Sequence, residues 1–368
     1  MRYAVGYGTA KVLDRERPSM ISLFYPIERT AATSPTAVPY MPPLTCSILD
    51  LGLSRKGLPK VCNRMRLQAS EYAGAISDDL GQFPLGMQDY YNVKYNYSQE
   101  AVLFSPGLTC SRHQYNAMAQ SLASEGYAVV TMDHTEEAVV IEWPDGTHTL
   151  GNILPTVAQD DVVKHTQLLD TRVRDSRFVL TQLADVRVIK QLIPQFPHPR
   201  SPFDRPVDRQ RAAIVGHSFG GATAVCAVMQ DRRFMGAMNM DGSQYGSLQP
   251  VERLVVLFGR GEPDPRNRRN NPTWEHLSKY ARYLREINLA ESAHNTFSDL
   301  PLIFKLSGIV NEQFARELAG TLDGELSFKI VTAYIKDFAD LVLKDKNGEL
   351  YKESSILYPE MELMTERR

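Results

Sequence analysis

The stretch RAAIVGHSFGGATAVCAVM, residues 211–229, decides how this chain is read. Its short apolar run, Ala212 to Val215, suits a strand buried on both faces. Gly216-His217-Ser218-Phe219-Gly220 then fits G-x-S-x-G, and the residues from Gly221 to Met229 read as an apolar helix. Strand, glycine turn and helix are the setting of a nucleophile elbow. There a serine sits on a strained turn with its hydroxyl above the carboxyl end of a sheet, and the chain packs too closely on either side for a Cβ. Ser218 is therefore the candidate nucleophile. The five-residue match alone is weak, since a helix-starting glycine turn can carry an incidental serine, and the flanking elements give it weight.

Working outward, AVLFSPG (101–107), HQYNAMAQSLASEG (113–126) and YAVVTMDH (127–134) predict strand, helix, strand. Such a unit implies parallel strands joined by a right-handed crossover. MGAMNMD (235–241), RLVVLFGRG (253–261) and RYLREINL (282–289) predict three further strands. Residues 160–190 predict one long helix with Val163, Leu168, Val173, Phe178, Leu180 and Leu183 on its apolar face; a Pro-rich link, 193–206, follows it. Phe328, Val331, Tyr334, Phe338, Leu341 and Val342 trace one face of another helix ending near Gly348. Nearer the start, 19–27 predicts a strand stopping at Pro26, 31–43 a loop, and 50–75 a partly helical segment. Tyr90, Tyr91, Tyr95 and Tyr97 read as packing more than as a binding wall. The fold class is α/β, a mostly parallel central sheet with helices on both faces. Residues 1–368 are expected to form a single domain, with 28–99 an irregular or helical segment able to contribute a pocket wall or lid.

Composition excludes several classes. The 368 residues are 43% hydrophobic and 23% charged, which is globular rather than disordered. Lys+Arg is 41 against Asp+Glu 43, a net charge of −2, which argues against a nucleic-acid partner. No run approaches the ~18 apolar residues of a membrane span, and the first residues lack the apolar core of a secretory signal. A cytoplasmic location is therefore expected. The four cysteines, Cys46, Cys62, Cys110 and Cys226, form no C-x-x-C pair. They are read as reduced thiols, with Cys46 and Cys62 able to pair only in an oxidising compartment. Asp133, His134, Glu136 and Glu137 are close in sequence but poorly spaced for a metal. The oligomeric state is not legible.

A serine hydroxyl needs a general base, held by a buried carboxylate. With this elbow the chain order is serine, acid, histidine. Only His276 and His294 follow Ser218. His276 falls in a surface-type helix, whereas His294 lies in ESAHNTFSD, a polar loop just past a strand. The acid is Asp241, or Asp264 or Glu262 after the next strand. Asp264 lies between two prolines in a loop carrying Arg260, Arg266, Arg268 and Arg269, so Asp241 is the better candidate for burial. That arginine-rich loop reads as solvated, with an anion-binding role as the lesser alternative. Oxyanion donors are expected from the amide of Phe219 and from Ser105-Pro106-Gly107-Leu108, where proline has no N–H and Leu108 does.

Together FSPGL, HQYNAMAQSLASEGYAVVTMDH, GHSFGGATAV, RFMGAMNMDG and SAHNTFSD resemble the platelet-activating factor acetylhydrolase family of α/β-hydrolases, most clearly over 101–300. The resemblance implies an α/β-hydrolase fold, carries the acid to Asp241, the base to His294 and the oxyanion donors to Leu108 and Phe219, and implies no cofactor. It implies a serine hydrolase acting on a small-molecule ester or lipid-like substrate with short or oxidised acyl chains. The chain has Pro106-Gly107 where the family commonly has His-Gly, and Thr-Glu-Glu follows His134 where a basic residue is usual. These departures leave open a dedicated hydrolase, acyltransferase or cyclase of small-molecule biosynthesis using the same residues.

Overall fold

A computed structural model describes residues 3–15, 17–27, 38–62, 65–67, 70–71, 100–152, 161–193, 211–267, 269–309, 313–352 and 356–367. The tyrosine cluster at 90–97 and the Pro-rich link beyond Ile193 lie outside them. Ten strands form one sheet: β1 (Ala4–Asp14), β2 (Arg17–Ile27), β3 (Ser70–Glu71), β4 (Glu100–Ser105), β5 (Ala128–Met132), β6 (Arg211–His217), β7 (Phe234–Met240), β8 (Val251–Arg260), β9 (Ala281–Leu289) and β10 (Met361–Arg367). Their spatial order is β10-β9-β8-β7-β6-β4-β5-β2-β1-β3. Pairing is parallel from β5 through β4, β6, β7 and β8 to β9, and antiparallel where β2 joins β5 and β10 joins β9.

The strands alternate their side chains between two cores. Val102, Phe104, Ala213 and Val215 face one core, shared with helices α2 (Asn116–Ala123) and α9 (Gly324–Leu343). Ala101, Leu103, Ala212 and Ile214 face the other, shared with α3 (Val162–Gln182), α4 (Val186–Leu192), α5 (Phe219–Gln230) and α6 (Pro272–Ser278). Burial on both faces is why the parallel strands read as unbroken apolar runs. The chain runs from β4 outward to β5, then returns to the other side of β4 to form β6. Strand order therefore reverses between β4 and β6, and the crevice at their carboxyl ends is where such sheets place a site.

Several boundaries differ from the sequence expectation. The helix expected within 50–75 is α1 (Pro43–Ser54), with short strand pairings at 66–67 and 70–71 after it. The helical stretch expected over 160–190 is divided between α3 and α4. Of its predicted face, Val173, Leu180 and Leu183 are buried and Leu168 and Phe178 pack against the core, whereas Val163 is exposed; the buried stripe also takes in His165, Arg172, Asp175 and Ser176. β2 does not stop at Pro26, which pairs with Val5 of β1 but lies past the last pairing with β5, where no N–H is needed. β1 and β10 carry no expectation from the sequence. Two further short helices, α7 (Leu300–Leu306) and α8 (Gln313–Ala319), follow β9.

Candidate active site

Ser218 sits between β6 and α5 with φ 57° and ψ −124°, a strained backbone for a residue with a Cβ. A Cβ on Gly216 would collide with the Gly220 carbonyl, and one on Gly220 with the Ser105 and Pro106 carbonyls. Both glycines of the motif are thus required by close approach, and the second brings the elbow against the loop after β4. Its backbone is anchored by Ser218 N–H donating to the Met240 carbonyl at 2.8 Å.

The structure brings the expected side chains into one line. Ser218 Oγ lies 2.9 Å from His294 Nε2, and His294 Nδ1 lies 2.5 Å from Asp241 Oδ2. His294 opens a 3₁₀ turn, His294–Phe297, past the carboxyl end of β9. That turn is fixed by Thr296, whose hydroxyl accepts from the Ala293 amide and donates to the Ala319 carbonyl. Asp241 follows β7 at φ 54°, a left-handed conformation that Asp tolerates better than most residues. Its side chain is fully buried. The Asn239 side chain closes the turn by accepting from Gly242 N–H and donating to the Gly242 carbonyl.

The alternatives fall elsewhere. Asp264 is exposed and paired with Arg260. His276 is exposed on α6 with its ring edge-on to Tyr280. The loop of Leu108 lies beside Ser218, since a Cβ on Gly107 would stand 3.4 Å from Ser218 Cβ. The acidic cluster after β5 is divided among separate partners. Asp133 pairs with Arg112, His134 with Asp175, Glu136 with Arg17 and Glu137 with Arg172. None of the four cysteines is in a disulfide.

The model of the family described as platelet-activating factor acetylhydrolase, isoform II, matches residues 2–351. The chain belongs to this family. It is a serine carboxylic-ester hydrolase of the α/β-hydrolase fold. A probable 1-alkyl-2-acetylglycerophosphocholine esterase of Arthroderma benhamiae is 28% identical over 94% of this chain and 85% of its own length. The platelet-activating factor acetylhydrolase of Cavia porcellus is 23% identical over 67% of this chain and 58% of its own. A ferulic acid esterase of Streptomyces cinnamoneus shares the fold, with TM-score 0.72 and 24% identity over 99% of this chain and 97% of that one.

Two features of this family member's site escaped the sequence reading. The first is a pair of cations on Asp241: Arg266 Nε lies 2.6 Å from Oδ1 and Arg260 Nε 3.1 Å from Oδ2. The loop expected to be solvated therefore turns two of its arginines, each about one-fifth exposed, onto the buried acid. The available signal was that the loop leaves β8 at the same sheet end as Asp241. A buried carboxylate needs cations or donors around it. Arg268 lies outside the described residues.

The second is a run of hydrogen bonds behind His294. Gly107 N–H donates to Tyr115 Oη at 3.1 Å, and Tyr115 Oη–H donates to His217 Nδ1 at 2.9 Å. His217 Nε2–H donates to the His294 carbonyl at 2.8 Å. These partners assign the proton to Nε2 of a neutral ring. Burial, and next the charge of His294, push His217 well below the usual histidine range, in keeping with that assignment. The x of G-x-S is thus a strut between the loop after β4 and His294.

Proposed function

We propose that the protein hydrolyses carboxylic esters with Ser218 as nucleophile, His294 as base and Asp241 as its orienting acid. The observation that carries this reading is the hydrogen-bonded line Ser218 Oγ, His294 Nε2, His294 Nδ1, Asp241 Oδ2. His294 takes the Ser218 proton as Oγ attacks the acyl carbonyl, and Nδ1–H holds the ring against Asp241. The amides of Leu108 and Phe219 receive the oxyanion, each contributing about 3 kcal/mol to the transition state. His294 then gives the proton to the leaving alkoxide. Water, deprotonated by His294, attacks the acyl-enzyme; the intermediate collapses to release the acid, and His294 returns the proton to Ser218 Oγ. Every proton is accounted for among these groups, so the mechanism calls for no cofactor.

For the substrate we propose an ester with a short or oxidised acyl chain, phospholipid-type esters included. The names of the fungal and mammalian relatives support that choice. For segment 28–99, of which 38–62, 65–67 and 70–71 are among the described residues, we propose that the described part forms a pocket wall, supported by Tyr40, which reaches Asp299 five residues past His294. No helix among the described residues is long and apolar enough to cross a membrane. The free thiols support a reducing compartment, for which we propose the cytoplasm.

The test is turnover of p-nitrophenyl esters from acetate to dodecanoate by the parent and Ser218→Ala. Turnover that peaks at short chains and is lost in the variant is expected. Turnover that survives Ser218→Ala would overturn the assignment. A folded protein that takes a serine-directed phosphonate yet cleaves none of the esters would point instead to dedicated acyl transfer or cyclisation.

A further inference from the structure

An arginine with 1% exposure stands on the apolar face of α3, beneath the loop that follows β4. Arg172 Nη1 donates to the Pro106 carbonyl at 2.7 Å, Nη2 to the Gly107 carbonyl at 3.1 Å, and Nε to Glu137 Oε2 at 2.7 Å. Its guanidinium also lies over the Phe219 ring, 4.8 Å from the centroid. One side chain therefore touches both segments whose amides face the scissile carbonyl in the reading above.

The geometry of the peptide unit gives these contacts a consequence. A trans peptide is planar, so its C=O and the following N–H point in opposite directions. A Gly107 carbonyl held towards Arg172 turns the Leu108 N–H away from Arg172. A Pro106 carbonyl held the same way turns the Gly107 N–H towards Tyr115, where its partner lies. Among the described residues the Leu108 N–H has no acceptor within the chain, as an amide kept for a ligand would not. Rotation of the Gly107–Leu108 peptide turns ψ of Gly107, which meets little steric resistance, together with φ of Leu108; besides Arg172, the Cys110 N–H, donating to the Gly107 carbonyl at 3.2 Å, resists it. Rotation would replace the donor with a carbonyl oxygen, which repels an oxyanion.

We propose that Arg172 is a positioning residue for ester hydrolysis: by gripping the Pro106 and Gly107 carbonyls it fixes the Leu108 N–H in the oxyanion pocket. The inference rests on the assignment of Ser218 and Leu108 above. Glu137 is part of the device, since it orients the guanidinium and compensates its charge. Ser105 fixes the loop's other end. Its hydroxyl donates to His134 Nε2 at 3.0 Å, and His134 Nδ1 lies 3.0 Å from Asp175 Oδ2. These three side chains copy the chemistry of a triad but are buried, with no access for an ester. They serve as an anchor.

The experiment uses the full chain and two variants. Arg172→Lys keeps the charge but cannot bridge two carbonyls and Glu137. The double variant Arg172→Met, Glu137→Met removes both charges together, because removing one partner of a buried pair alone is strongly destabilising. Rates are taken per site titrated with phosphonate. Two inhibitors of one shape separate position from structure. A trifluoromethyl ketone adds to Ser218 and forms an oxyanion, whereas its methyl ketone counterpart binds without reacting. The expected result is a fall in kcat of at least ~10-fold, towards the ~100-fold or more of a deleted donor, with KM within about 3-fold. Affinity for the trifluoromethyl ketone falls by a similar factor and affinity for the methyl ketone holds. A folded double variant with kcat within about 3-fold of the parent overturns the inference. So does a loss shared equally by KM and both ketones. Ser218→Ala runs alongside: if it keeps parent activity, the assignment of the nucleophile fails instead.

Discussion

Asp299 offers a prediction whose sign is decided by two opposed effects. The carboxylate is fully buried where α7 begins, and three donors converge on it: Tyr40 Oη–H at 2.5 Å, Ala117 N–H at 2.6 Å and Met118 N–H at 3.1 Å. Burial favours the neutral acid and the donors favour the anion. Burial wins, and the carboxyl is pushed up to about 7 from an ordinary 3.8. An acid raised on folding binds its proton more tightly in the folded state. Its contribution to stability is therefore complete below the unfolded value and lost as pH rises through the folded one. At about 1.4 kcal/mol per pH unit the whole effect is on the order of 4 kcal/mol, more than half of which falls between pH 5 and 8. His113, His134 and His217, pushed down chiefly by burial, act in the opposite direction, their contribution being lost as pH falls below about 6.5.

The parent must therefore be compared with Asp299→Asn, an isostere that cannot titrate, so that the histidines cancel in the difference. Urea denaturation of both proteins at pH 5, 6, 7 and 8 gives that difference directly. The stability of the parent relative to the variant should fall by roughly 2–3 kcal/mol across the series, mostly between pH 5 and 7. A difference that is flat within about 0.5 kcal/mol would refute the reasoning. A difference that rises with pH would mean that the three donors outweigh burial and that the fold prefers the anion.

Two further outcomes follow from the site. Arg266→Gln should slow neutral and anionic esters by the same factor, about 5-fold for the ~1 kcal/mol of a partly exposed ion pair, because Arg266 faces Asp241. A change confined to anionic esters would assign the loop to substrate. A fluorophosphonate should label one serine per chain, Ser218, as read by mass spectrometry. Labelling at Ser105 would show that the buried Ser105, His134 and Asp175 are reached by solvent.

What the sequence disclosed depended on whether a residue's neighbours share its segment. The elbow was legible because its requirements are local: an apolar strand, two glycines and an apolar helix within 19 residues. His294 and Asp241 followed because strand ends mark one edge of the sheet. β1 was missed because Gly6 and Gly8 argue against a strand. Their reason is distant, since a Cβ on Gly6 would strike the Tyr25 ring and one on Gly8 the Leu192 carbonyl. β10, at the sheet's edge, is mostly polar and half exposed, so it carries no apolar run.

The polar side chains on the buried face of α3 are more instructive. Apolar periodicity finds Val173, Leu180 and Leu183, yet the buried stripe also carries His165, Arg172, Asp175 and Ser176. A polar side chain on a core-facing stripe is costly unless it has partners. Here Arg172 finds two carbonyls and Glu137, Asp175 finds His134 and Arg17, and Ser176 its own helix. The partners of Arg172 and Asp175 lie at least 35 residues away in the chain, out of reach of a hydropathy window. Charges that break the apolar period of a helix packed under a catalytic loop are thus where the supporting residues of a site are to be sought. In this chain the break falls at Arg172, one helix away from the motif that makes the chemistry visible.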